Sequence, residues 1–147
     1  MDAMPRILLV EDSRDDVELI TSALGPYQLT DRIDVVHDGA AALEYLECRG
    51  KYAARSTGAP AFVLLDLKLP KISGLEVLQR VRASPSLRCI PVVVLTSSRE
   101  ETDLVKAYDL ATNAYVVKPV RFDAFTNAVK EIGVFWAVLN TTPTSRS

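Results

Sequence analysis

Phe62-Val63-Leu64-Leu65-Asp66-Leu67-Lys68-Leu69-Pro70 is the stretch whose reading decides the fold. Four apolar residues run without a break into one carboxylate, and a proline closes the segment soon after. An unbroken apolar run bounded by turn residues suits a strand buried on both faces. Asp66 then stands where that strand leaves the sheet, which is the edge at which open α/β sheets bind ligands.

Working outward, Arg6-Ile7-Leu8-Leu9-Val10 is a second apolar run, ending on Glu11-Asp12, and Ile33-Asp34-Val35-Val36 is a third. Downstream, Pro91-Val92-Val93-Val94-Leu95 ends on Thr96-Ser97-Ser98, and Ala114-Tyr115-Val116-Val117-Lys118-Pro119 forms the last strand. Helical spacing fills the gaps. Val17, Ile20 and Leu24 share one face, after Ser13 and Asp16 in a loose capping box, and Gly25-Pro26 stops that helix. A turn at His37-Asp38-Gly39 leads to a helix from about Ala40 to Cys48, with Leu43 and Leu46 inward. Ser73 and Glu76 form a capping box for a helix that buries Leu75, Leu78 and Val81 and ends at Ser84-Pro85. Ser98 and Glu101 repeat the pattern before Leu104, Val105 and Tyr108, and Asn113 suits a left-handed turn. The final helix carries Phe122, Phe125, Val129, Ile132 and Trp136. Gly50 to Pro60 reads as a longer loop than average, and Thr141 to Ser147 as a disordered polar tail.

Strand and helix thus alternate five times with no linker between them. That pattern, with continuous Val/Leu/Ile strands, predicts an α/β fold: a doubly wound parallel sheet covered by helices on both sides. One domain over residues 4–140 is expected, with the tail at 141–147 and no output domain. The 147 residues suffice for a real core, and 48% are apolar and 24% charged, as in soluble globular chains. A net charge of −2 gives no electrostatic reason to bind nucleic acid or an anionic membrane. No apolar run approaches the roughly 20 residues of a membrane span, and the first residues lack a signal peptide's layout. Cys48 and Cys89 match no metal spacing and read as reduced thiols of a cytoplasmic protein.

Right-handed crossovers point consecutive parallel strands the same way, so their polar ends meet on one edge. Those ends carry Glu11-Asp12, Asp66, Thr96 and Lys118. Three carboxylates would repel one another in a small site, and a hard divalent cation with oxygen ligands relieves that. Mg²⁺ fits best, held by Glu11, Asp12, Asp66 and the backbone carbonyl of Lys68, with Mn²⁺ as an alternative. Asp66 is the candidate nucleophile toward a phosphoryl group. Lys118 offers a compact ammonium for an anionic oxygen, Thr96 a hydroxyl, and Ser97 and Ser98 backbone N–H groups near a helix start.

The motifs VEDS after the first strand, LLDLKLP at the third, VLTSS at the fourth and AYVVKP at the fifth resemble the receiver domain of two-component response regulators. The resemblance runs from about Arg6 to Trp136. It implies a five-stranded sheet of order 2-1-3-4-5 with five helices, the flavodoxin-like receiver fold. It also implies that Asp66 takes phosphate from a histidine kinase, with Mg²⁺ on the acidic pair. By the same resemblance, Thr96 and Tyr115 are the switch residues and the Lys118–Pro119 bond is cis. Leu69 stands where methionine is usual and Ser97 where alanine or glycine is usual, a change that bears on phosphoryl lifetime. The long loop and the Phe135-Trp136 ending resemble stand-alone regulators paired with bacterial phytochrome kinases. Dimerisation is expected through the fourth helix, fifth strand and fifth helix, with Phe122, Phe125 and Trp136 as interface candidates.

Each residue alone has an ordinary explanation. Glu11-Asp12 suits a helix N-terminus, Asp66 a turn and Lys118 a solvated surface. Phe122, Phe125 and Trp136 suit a core at helical spacing, and the lone His37 suits a surface turn. Residue type, order and spacing together favour the shared site. Two other readings use the same residues: a Mg²⁺-dependent phosphatase, and a binding scaffold that is not phosphorylated. The first commonly needs a second acid–base Asp just after the nucleophile, where this chain has Leu67-Lys68.

Overall fold

The structure is a computed structural model describing residues 6–25, 30–55, 59–97, 99–107, 110, 112, 114–118 and 121–131. Its strands are β1 (Ile7–Val10), β2 (Ile33–Val36), β3 (Phe62–Asp66), β4 (Val92–Thr96) and β5 (Ala114–Val117). Its helices are α1 (Arg14–Leu24), α2 (Gly39–Glu47), α3 (Gly74–Ala83), α4 (Arg99–Ala107) and α5 (Phe122–Glu131). All strand pairs are parallel, in the order β2-β1-β3-β4-β5. This is the predicted doubly wound sheet with five helices.

Side chains alternate across a strand, so each of the three inner strands supplies both layers of core. Ile7, Leu9, Phe62, Leu64, Val93 and Leu95 face one side and pack with Ile20, Ala23 and Leu24 of α1 and Phe125 of α5. Leu8, Val10, Val63, Leu65, Val92 and Val94 face the other, against Leu43 and Leu46 of α2, Val77, Leu78 and Val81 of α3, and Val105 of α4. Strands buried on both faces explain why β1, β3 and β4 show no polar alternation. Each fully buried Val or Leu contributes roughly 1.5–3 kcal/mol.

Three expectations change. Leu104 and Val105 were both expected inward; Val105 is fully buried, whereas Leu104 is 49% exposed. Leu75 is only half-buried, and Val77 completes the buried face of α3. The loop after α2 carries local structure: a 3-10 turn covers Gly50–Tyr52, and the Arg55 guanidinium donates to the Tyr45 carbonyl at 2.7 and 3.0 Å. Tyr108, Asn113, Ile132 and the tail lie outside the described residues.

Two glycines set how closely the loops pack. A Cβ on Gly74 would lie 2.1 Å from the Asp66 carbonyl oxygen and 2.5 Å from the Leu67 Cα. One on Gly39 would lie 1.9 Å from the Ile72 carbonyl oxygen. Backbone cannot give way as a flexible side chain can, so both positions require glycine. Gly74 then donates its N–H to the Leu67 carbonyl at 3.0 Å, which fixes the start of α3 against the end of β3.

Candidate functional site

The register brings the chemistry together. Val10 pairs with Leu65, so Glu11 and Asp66 are the next residues of adjacent strands. Thr96 pairs with Val117, and the Lys118 N–H donates to the Thr96 carbonyl at 2.8 Å. Ligand oxygens of Glu11, Asp12 and Asp66 lie within 4.8 Å of one another. Glu11 is fully buried, Asp66 is 4% exposed and Asp12 is exposed, so the trio rises from the sheet edge to the surface.

Lys118 lies among the acids. Its Nζ donates to Asp66 Oδ2 and Glu11 Oε2, each at 3.0 Å, and pairs with Asp16 Oδ2 at 3.0 Å. Asp66 Oδ1 accepts from the Lys68 N–H at 3.1 Å, which orients the carboxylate. Glu11 Oε2 also accepts from the Ser13 N–H at 3.1 Å. Its Oε1 lies 3.0 Å from Nζ but outside hydrogen-bond geometry, so that buried oxygen has no hydrogen-bond donor among the described residues. Burial pushes the Glu11 carboxyl up to about 7, the Asp66 charge pushes the same way, and Lys118 and Ser13 only partly offset them. Burial pulls the Lys118 ammonium down, but its bonds to Asp66, Glu11 and Asp16 outweigh that and hold it above the usual lysine range.

A second cation would resolve this imbalance. The donor set is all carboxylate oxygen, as hard divalent ions require, and one buried oxygen lacks a donor. These residues therefore fit such an ion.

The predicted residues divide as follows. Glu11, Asp12, Asp66 and Lys118 converge. Thr96 is fully buried and donates its hydroxyl to Glu101 Oε1 at 2.6 Å. Ser97 is exposed and borders a groove with Tyr115, Val117 and Lys106. Tyr115 is half-buried, with Lys106 Nζ 5.7 Å from its ring centroid. His37 is exposed, and its Nδ1 donates to the Glu11 carbonyl at 3.1 Å. Phe125 is a correction: it is fully buried between α1 and the sheet, so it belongs to the core and cannot present an interface. Ser98, Pro119, the Lys118–Pro119 bond, Trp136 and the side chain of Phe122 lie outside the described residues.

Sequence reasoning missed Asp16 and Glu101 as site residues. Both were visible as the acidic member of a capping pattern. Ser13 Oγ does accept from the Asp16 N–H at 3.3 Å. The Asp16 carboxylate, however, turns to Lys118, and Glu11 takes the Ser13 N–H that a full capping box would use.

Comparison with known proteins agrees with the geometry. Residues 7–130 match the model of the response regulator receiver domain. The solved structure of the bacteriophytochrome response regulator RtBRR is 57% identical with a TM-score of 0.85, covering 95% of this chain and 84% of that one. The probable methanogenesis regulatory protein FilR2 of Methanothrix harundinacea (strain 6Ac) is 42% identical over 93% of this chain and 86% of its own. Response regulator Rcp1 of Synechocystis (strain PCC 6803) is 38% identical over 93% of this chain and 92% of its own. A Mn²⁺-bound structure of Rcp1 aligns with a TM-score of 0.72 at 37% identity, covering 94% of this chain and 96% of that one. The chain therefore belongs to the response regulator receiver domain family of signalling proteins.

Proposed function

We propose that this chain is a phospho-receiver whose acceptor is Asp66. The observation that carries the reading is the acid trio within 4.8 Å, with the Lys118 ammonium 3.0 Å from the Asp66 carboxylate. An Asp66 oxygen attacks the phosphorus of a kinase phosphohistidine. The new O–P bond forms as the N–P bond breaks, and solvent protonates the departing imidazole nitrogen as needed. Glu11, Asp12, Asp66 and the Lys68 carbonyl would hold Mg²⁺, or Mn²⁺ as on Rcp1, which would supply charge neutralisation for the transferred oxygens. Lys118 would follow one oxygen of the transferred group, a role supported by its 3.0 Å contact with the Asp66 carboxylate. Thr96 and the Ser97 N–H would take others.

Output follows from the same displacement. Thr96 and Lys118 move toward the phosphoryl group, Tyr115 fills the space Thr96 leaves, and the face of α4, β5 and α5 changes population. Leu104 and Val117, 49% and 63% exposed, give that face apolar area for a partner or a second copy. With Phe125 in the core, these two residues replace it in the interface proposal. On this reading the receiver unit runs over residues 4–140, and the face of α4, β5 and α5 is its switching surface. Likeness to RtBRR supports a phytochrome-type histidine kinase as the phosphoryl donor. Among the described residues no helix is long and apolar enough to cross a membrane.

The test is labelling with radioactive acetyl phosphate and Mg²⁺. The parent should label, and Asp66→Asn, shown to be folded by circular dichroism, should fall to background. A folded Asp66→Asn that labels like the parent would remove Asp66 from its role. A parent that labels with neither acetyl phosphate nor kinase would favour the unphosphorylated scaffold.

A further inference from the structure

The Thr96 hydroxyl has one hydrogen to donate. In this structure it is committed to Glu101 Oε1 at 2.6 Å, a short bond to a charged acceptor in a place where Thr96 is fully buried. Glu101 stands in the first turn of α4, with its side chain 16% exposed. A phosphoryl oxygen on Asp66 would need that same hydrogen, so the two acceptors compete. Glu101 also has a cation near by: Lys68 Nζ lies 4.0 Å from its Oε2. Releasing Thr96 therefore does not strand the carboxylate. Further along α4, Lys106 lies over Tyr115, so one helix touches both residues that must move.

We propose that Glu101 is a positioning residue for Thr96: by accepting its hydroxyl hydrogen, it sets the fraction of molecules ready to bind the phosphoryl group. The inference rests on the phospho-receiver reading above. A site that is competent only in a minor fraction binds its ligand more weakly by that fraction. Losing a hydrogen bond to a charged acceptor should therefore strengthen binding by about tenfold.

The experiment is calorimetric titration of the full chain with beryllofluoride, a phosphoryl mimic, in Mg²⁺. Glu101→Ala, which removes the acceptor, should bind about tenfold tighter than the parent, and Glu101→Gln, which keeps a neutral acceptor oxygen, should gain less. Glu100→Gln removes the same charge from the same helical turn at an exposed neighbour and should leave the affinity unchanged. In a Thr96→Val background, Glu101→Gln should have no effect, because the hydroxyl is gone. In the metal-free protein, three-bond couplings of Thr96 should show one χ1 rotamer in the parent and averaging in Glu101→Ala.

Equal affinity in parent and Glu101 variants overturns the proposal. So does a gain that persists in Thr96→Val or appears in Glu100→Gln, since either would trace the effect to the helix or its charge. A parent that does not bind beryllofluoride overturns the phospho-receiver reading instead, and the couplings then still test the Thr96–Glu101 contact on their own.

Discussion

Two ion clusters in this molecule are built to opposite rules. One is Asp34 on the edge strand β2. The Arg6 guanidinium grips it through two bonds of 2.7 and 3.1 Å, and the Tyr45 hydroxyl donates to it as well. The other is the acid trio with Lys118 at the opposite end of the strands. Burial alone would lift the Asp34 carboxyl, but Arg6 and Tyr45 outweigh it and hold the group below the usual carboxylate range. At Glu11 burial wins, and the carboxyl rises to about 7. The first cluster is balanced and serves stability. The second holds more negative charge than its lysine can neutralise, and that excess is what makes it receptive to a cation.

Cation addition should break the comparison most sharply. Mg²⁺ at about a hundred times its dissociation constant should stabilise the fold by about 2.7 kcal/mol, read from urea midpoints. The gain should shrink in Asp12→Asn and persist in Asp34→Asn. Equal gains in parent and Asp12→Asn would deny Asp12 a place among the ligands. Next in size, Asp34→Asn should cost about 2 kcal/mol, because it weakens charge-assisted bonds and leaves Arg6 and Tyr45 poorly paired. Labelling with acetyl phosphate should stay at the parental level, and a large loss of labelling would join the two clusters into one.

The smallest effect is acid sensitivity. The folded-state pKa of Asp34 lies below its unfolded value, so its contribution is complete above the unfolded value, about 3.9. It is lost as pH falls through the folded value. Below about pH 4 the stability gap between parent and Asp34→Asn should therefore narrow. A gap that is constant down to pH 2 would assign the Asp34 contribution to packing, not charge.

Much of the frame was legible because it depends on neighbours in sequence. Apolar runs marked strands, serines marked helix starts, and polar residues at strand ends marked the site. What stayed hidden was the partner choice of long side chains. Ser13 and Ser73 both accept from the N–H three residues on, the local half of a capping box. The acidic half went elsewhere each time: Asp16 to Lys118, Glu76 to Arg80. Glu101, in the third such pattern, reaches Thr96. A backbone N–H offers a neutral partner at fixed distance, whereas a lysine or a buried hydroxyl brought in by the fold competes strongly and leaves no local trace. Phe125 fits the core reading that its helical spacing gave and not the interface role, whereas Leu104 was misplaced for a related reason. Helical spacing defines a stripe but not which flank of it the sheet covers.

The tight approach at Gly74 has a bearing on how this protein can vary. The first turn of α3 carries none of the clustered charges, yet it rests on the peptide that follows Asp66, at a separation only a hydrogen atom can occupy. Even alanine, chemically mute, would prise the loop upward and carry Lys68, along with its grip on the carboxylate, out of line. The aim of the Asp66 carboxylate is thus inherited from a missing methyl group on a residue that stands outside the acid cluster.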